Sequence, residues 1–112
     1  MSEKPDEADY SCVLFVAVKE GSPTENDLEE LAREIINEWR KLGRRLLESN
    51  ESSLDTIDKE NPEYSEKAYK MLLKWKQAKA SHATFKVLHY ALCHPLIERR
   101  DLAEKFCLVK QD

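Results

Sequence analysis

Residues 54–75 read LDTIDKENPEYSEKAYKMLLKW. Leu54 and Ile57 stand three apart, which places both on one face of a helix. Pro62 disfavours the α conformation at Asn61, so that helix stops there. Beyond the proline, Ala68, Met71, Leu72 and Trp75 recur at spacings of three and four and form the inner stripe of a second helix, with Ser65 or Asn61 as its expected N-cap. Lys67, Lys70 and Lys74 follow an i, i+3, i+7 spacing on another face and are expected to lie together in water. Two short amphipathic helices joined at a proline are bundle material, and the rest of the chain is read from them.

Upstream, Ser22-Pro23-Thr24-Glu25 predicts a helix start, with Ser22 at the N-cap, Pro23 at the first helical position and Glu25 completing a capping box. Leu28, Leu31, Ile35 and Trp39 share one face, and the apolar series continues through Leu42 and Leu46. A break in axis near Asn37 divides this stretch into helix one (23–36) and helix two (38–47). Gly43 inside helix two costs about 0.5–1 kcal/mol relative to Ala, which a close helix crossing would explain. Residues 49–60 read as a cap followed by the third helix. Downstream, Thr84 is placed to cap a fifth helix with Val87, Leu88, Ala91 and Leu92 inside. ERRDLAEKFC (98–107) supplies a sixth, burying Leu102, Ala103 and Phe106. Trp39 and Trp75 sit on apolar stripes and are read as core. Truncating either to Ala is expected to cost roughly 3–5 kcal/mol.

The chain has 112 residues, enough for one core, with 41% hydrophobic and 36% charged residues and only Gly21 and Gly43 as glycines. That is the profile of an all-α domain with a heavily charged exterior. Residues 1–21 divide into a polar acidic tail and the apolar run CVLFVAV at 12–18, and the domain proper is assigned to 22–112. The run suits a short helical or extended segment packed on the domain. It is too short to span a bilayer and follows acids rather than a basic region, so neither a membrane span nor a secretion signal is expected. Cys12, Cys93 and Cys107 have no metal-type spacing and suggest no disulfide framework. A reducing, cytoplasmic setting is the simpler expectation.

The net charge of −4 argues against general nucleic-acid binding, which needs clustered cations in excess. Charge nevertheless alternates along the chain. Glu20, Glu25, Asp27, Glu29, Glu30 and Glu34 against Arg33 give 20–34 a net −5; Arg40, Lys41, Arg44 and Arg45 against Glu38 give 38–47 a net +3. Segment 51–63 is −4 and 66–79 is +4. His89 and Cys93 are spaced i, i+4 with His82 and His94 nearby, but the set lacks the pattern of a tetrahedral zinc site, so no metal or other cofactor is expected. There is no Gly-x-Ser-x-Gly, no glycine-rich phosphate loop and no Cys-His pair in a recognisable context, so no enzyme is expected.

The order of these segments resembles the death domain of the death-fold superfamily. Trp39 ahead of the basic-flanked Leu42, Ile57-Asp58 ahead of Pro62, Leu72 with Trp75, Ala83-Thr84, and Asp101-Leu102-Ala103 carry the likeness over about 24–107. Adaptor-type domains, similar to that of the Fas-associated death-domain adaptor, are the nearest in pattern. The resemblance implies a six-helix antiparallel bundle with Greek-key death fold. It also implies a non-enzymatic module that binds death domains of receptors or adaptors in apoptotic or inflammatory signalling. In such proteins a helix-one/helix-four face meets a helix-two/helix-three face, and heterologous contacts of that kind propagate into helices or rings, here giving a possible homo-oligomer. On this reading the partner-binding candidates are Arg40, Lys41, Arg44 and Arg45 on helix two, Asp55, Asp58 and Glu60 on helix three, Lys67, Lys70 and Lys74 on helix four, and Arg99 and Arg100 at helix six. For each, the plainer reading is a solvated charged face, and Asp101 suits a helix N-terminus electrostatically. Two other functions compete: a nucleic-acid binder using basic helices two and four, and a scaffold domain that no longer assembles.

Overall fold

The computed structural model describes residues 18–48 and 51–109, all-α with six α-helices in that range. The expectations placed on the tail, on 10–17 including Cys12, on Ser49-Asn50 and on 110–112 lie outside the described residues. Helix α1 spans Glu25–Glu34, and a 3₁₀ turn (Ile36–Glu38) leads into α2 (Trp39–Leu46). Then come α3 (Glu51–Glu60), α4 (Tyr64–Lys79), a second 3₁₀ turn (Ala80–His82), α5 (Phe85–Leu92) and α6 (Arg100–Cys107).

The start of α1 lies two residues beyond the expected one. Thr24 is the N-cap: its Oγ1 accepts from Asp27 N (3.1 Å), and Asp27 Oδ2 accepts from Thr24 N (2.9 Å). Pro23 is buried ahead of the helix, and its carbonyl accepts from Lys76 Nζ at 2.7 Å. That bond holds Pro23 in the lead-in and leaves Thr24 to begin the ladder, with Leu28 N donating to Thr24 O.

The start of α4 also differs from expectation. Its N-cap is Glu63, with no side-chain bond. Asn61 closes α3 instead, its main-chain N and Nδ2 both donating to Ile57 O at 3.1 and 3.0 Å. Thr84 caps α5 by accepting from Val87 N at 3.2 Å.

Helix α4 is the central element, packed on α1, α2 and α3, while α5 packs on α2 and α6, and α6 returns to α1. The residues read above as core are buried, Trp39 and Trp75 among them, with one exception. Val87 is different: it is 41% exposed, outside the face of α5 formed by Leu88, Ala91 and Leu92. Gly43 sits at the close crossing its presence suggested, since a Cβ there would lie 2.7 Å from Leu54 Cδ2 and 3.0 Å from Met71 Cγ. The chain ahead of α1 is stitched down by an antiparallel bridge between Val18 and Leu108 and by bonds from Lys19 N to Cys107 O (2.7 Å) and Phe85 N to Gly21 O (2.9 Å). No helix is long and apolar enough to cross a membrane among the described residues.

Candidate interaction surface

Much of the alternating charge is neutralised inside one copy. Arg40 on α2 reaches across to α3, pairing with Asp55, with Glu51 at 3.3 Å and with Asp58 at 3.5 Å. Arg44 donates from Nε to the other oxygen of Glu51. The Arg40 guanidinium is held more firmly protonated by Asp55 above all, while Arg44 pulls the Glu51 carboxyl below the usual range. Helix α3 has only Leu54 and Ile57 as buried anchors, and this lattice adds to what holds it against α2. Isolated surface pairs are worth about 0–1 kcal/mol; a shared network does more than one pair.

Lys67 departs from the solvated lysine face expected of α4. It is 7% exposed, and its Nζ donates to the Asp58 carbonyl and carboxylate, each at 2.7 Å. The position is inward because Lys67 precedes Ala68 and lies four residues before Met71, beside the buried stripe. Lys70 and Lys74 are exposed and border a hollow of about 310 Å³ with Glu60, Asn61 and Leu73.

Arg99 is likewise engaged within the fold. It donates to Glu38 Oε1 (2.8 Å), to Glu34 O (3.3 Å) and to Asp101 (3.1 Å), fastening the start of α6 to the α1–α2 junction. Asp101 is held below the carboxylate range mainly by this guanidinium. Arg100 is half-buried beside a hollow it shares with Cys93, Pro95 and Glu98.

Two further surfaces carry outward charge among the described residues. Lys41, Arg44 and Arg45 of α2 surround a cavity of about 220 Å³ whose fourth wall is Leu96, from the turn between α5 and α6. Leu96 is 63% exposed, and Arg45 Nη1 lies 3.5 Å from His94 Nε2. The second surface is the α1–α4 seam, where the half-buried Tyr69 hydroxyl is pushed up by burial first, and then by the carboxylates of Glu25, Glu29 and Glu66.

Leu96, His94, Tyr69 and Glu66 escaped the sequence reading of the surface. His94 and Leu96 lie outside any periodic segment, and only the fold brings their turn to the end of α2. Glu66 is the lone acid in a lysine-rich helix, and its alignment with α1 depends on the helix crossing.

No curated protein matches the chain significantly. The family model described as "Death domain" matches residues 25–107, from the first residue of α1 to the last of α6. The chain therefore belongs to the death-domain family, whose members are protein–protein interaction modules of signalling.

Proposed function

We propose that this domain assembles with other death domains, including copies of itself, as a non-enzymatic adaptor-type module of apoptotic or inflammatory signalling in the cytoplasm. The interacting unit is taken as residues 22–112, with 1–21 as its N-terminal lead. The carrying observation is the separation of outward charge left after internal pairing. Cationic Lys41 and Arg45 flank exposed Leu96 on one surface, and on another Glu25 and Glu66 gather at the α1–α4 seam beside Glu29, which Arg33 approaches to 3.9 Å. Surfaces of opposite sign on different elements favour a heterologous contact, in which charge sets register and encounter rate more than affinity. The nucleic-acid reading loses support, because Arg40, Arg44, Lys67, Lys76 and Lys79 are all engaged on acceptors of the chain itself.

Light scattering coupled to size exclusion tests the reading on the full chain at low and high salt. Oligomers that dissolve with salt are expected. Lys41→Glu with Arg45→Glu should abolish them, and so should Glu25→Lys with Glu29→Lys, while mixing the two variants restores hetero-assembly. Arg44→Glu is a poorer probe, because it sets two carboxylates together at Glu51. Assembly indifferent to both reversals would overturn the proposal.

A further inference from the structure

The turn joining α5 to α6 selects the tautomer of one imidazole. Leu96 N donates to His94 Nδ1 at 3.1 Å, so the neutral ring carries its hydrogen on Nε2. That Nε2 lies 3.5 Å from Arg45 Nη1. A guanidinium has donors and no acceptor, so two donors face each other, and no acceptor of the described residues bridges them. Lys41 brings a third donor to the adjoining cavity and makes no ion pair among the described residues. Glu51 of α3 is occupied by Arg40 and Arg44, and no acid lines the cavity among the described residues.

From this geometry we propose that the hollow between the end of α2 and the α5–α6 turn is a binding site for a phosphoryl group. One oxygen bridges His94 Nε2–H and Arg45, and a second meets Lys41. The cavity of about 220 Å³ admits such a group, and exposed Leu96 offers an apolar edge to whatever carries it. A phosphate monoester matches better than a carboxylate for two reasons. It presents three terminal oxygens to three separate donor groups, and it brings a charge of about −1.5 to −2 to a cluster of cations. Arg and a neutral imidazole N–H also suit a phosphate oxygen geometrically. The carrier is either a soluble phosphate ester or a lipid headgroup, the chemistry at the site being the same. The proposal does not rest on the assembly above, because a dilute monomer is sufficient to bind.

The test titrates isotopically labelled full chain with inorganic phosphate, then with inositol hexakisphosphate, following amide shifts by NMR. In parallel, phosphatidylcholine vesicles with and without a phosphoinositide are tested for co-sedimentation. Shifts should centre on Arg45, His94 and Leu96. Arg45→Gln and His94→Phe should each weaken inositol hexakisphosphate binding about tenfold, as expected for one charge-assisted hydrogen bond, with the thermal midpoint retained. Lys86→Gln, an exposed cation on α5, should change nothing. Binding of the soluble ester without vesicle binding identifies a soluble ligand; vesicle binding that needs the phosphoinositide identifies a headgroup. Absence of shifts at the site with every probe overturns the proposal, as does a loss in Lys86→Gln equal to that in Arg45→Gln.

Discussion

Lys67 of α4 holds Asp58 of α3 by two atoms at once, the main-chain carbonyl and the carboxylate, each 2.7 Å from Nζ. The main-chain contact matters more than the ion pair, because it engages a carbonyl in the last turn of α3 that lacks a helical partner. Together with Asn61 on Ile57 O, it ends α3 and fixes the angle at which the chain turns into α4.

Lys67→Met keeps the buried aliphatic stem and removes only the ammonium. It should destabilise the domain by about 1–3 kcal/mol, the usual scale for losing a charged donor from partly buried acceptors. Asp58→Asn, which spares the carbonyl, should cost clearly less. Urea denaturation of the two variants checks the order. Equal losses would mean that the carboxylate, and not the main-chain bond, carries the contact.

Gly43→Ala sets two effects against each other. Alanine in a helix gains about 0.5–1 kcal/mol over glycine, but the new methyl group lies 2.7 Å from Leu54 Cδ2 and 3.0 Å from Met71 Cγ, both in fully buried side chains. Overpacking of that kind costs about 1–3 kcal/mol, so net destabilisation is expected. Pairing the change with Leu54→Val, which withdraws the crowded carbon, should cost less than the sum of the two single changes in denaturant melts.

Acid should weaken the fold in two stages. His89 is buried, with Nε2 lacking a partner among the described residues. Burial, helped by Arg100 and opposed by Glu104, lowers its pKa. Below about pH 6.5 the unfolded chain therefore takes up a proton that the native state resists, and stability falls. Asp58 and Asp101 are held low by Lys67 and Arg99, and Glu51 by Arg44. Their contribution is complete above the ordinary carboxylate range near pH 4 and is lost as pH drops through the folded values. Chemical denaturation across pH should show both limbs, and His89→Phe should flatten only the upper one.

The two described cysteines should separate cleanly in a pulse of maleimide read by mass spectrometry. Cys107 is fully buried, and that burial pushes its thiol up to about 12. Little nucleophilic thiolate forms there in the native state. Cys93 is half-buried and should be labelled first, with Cys107 following only on unfolding. Labelling of Cys107 at the rate of Cys93 in native buffer would show that α6 opens locally.

The buried side of this domain was legible because helical spacing determines it. Leu28, Leu31 and Ile35, or Leu72 and Trp75, can share a face only by facing the core. The same logic misplaced Val87, one position off the stripe of α5, where a boundary residue belongs as readily to water. It misplaced Lys67 because a four-carbon stem can lie along the core while its charge finds an acceptor on another helix. Caps slipped for a similar reason. Ser22 and Thr24 are equivalent by composition, and it is the fold that favours Thr24, through its capping box with Asp27 and the bond from Lys76 to Pro23 O. Charge read along the chain could not reveal that α2 and α3 neutralise each other, since that pairing is a property of their crossing. His94 and Arg45 are brought together only by the fold.

The bridge between Val18 and Leu108 has a mechanical consequence. In an antiparallel pair the two segments run in opposite chain senses, so the Val18–Leu108 bridge and the neighbouring bond from Lys19 N to Cys107 O lie one behind the other. A pull parting Val18 from Leu108 would open these contacts one at a time, as a zip opens, before the load reached the six helices. The bridge closes as a clasp beside the bundle, and force across it bypasses the helices for as long as the clasp stays shut.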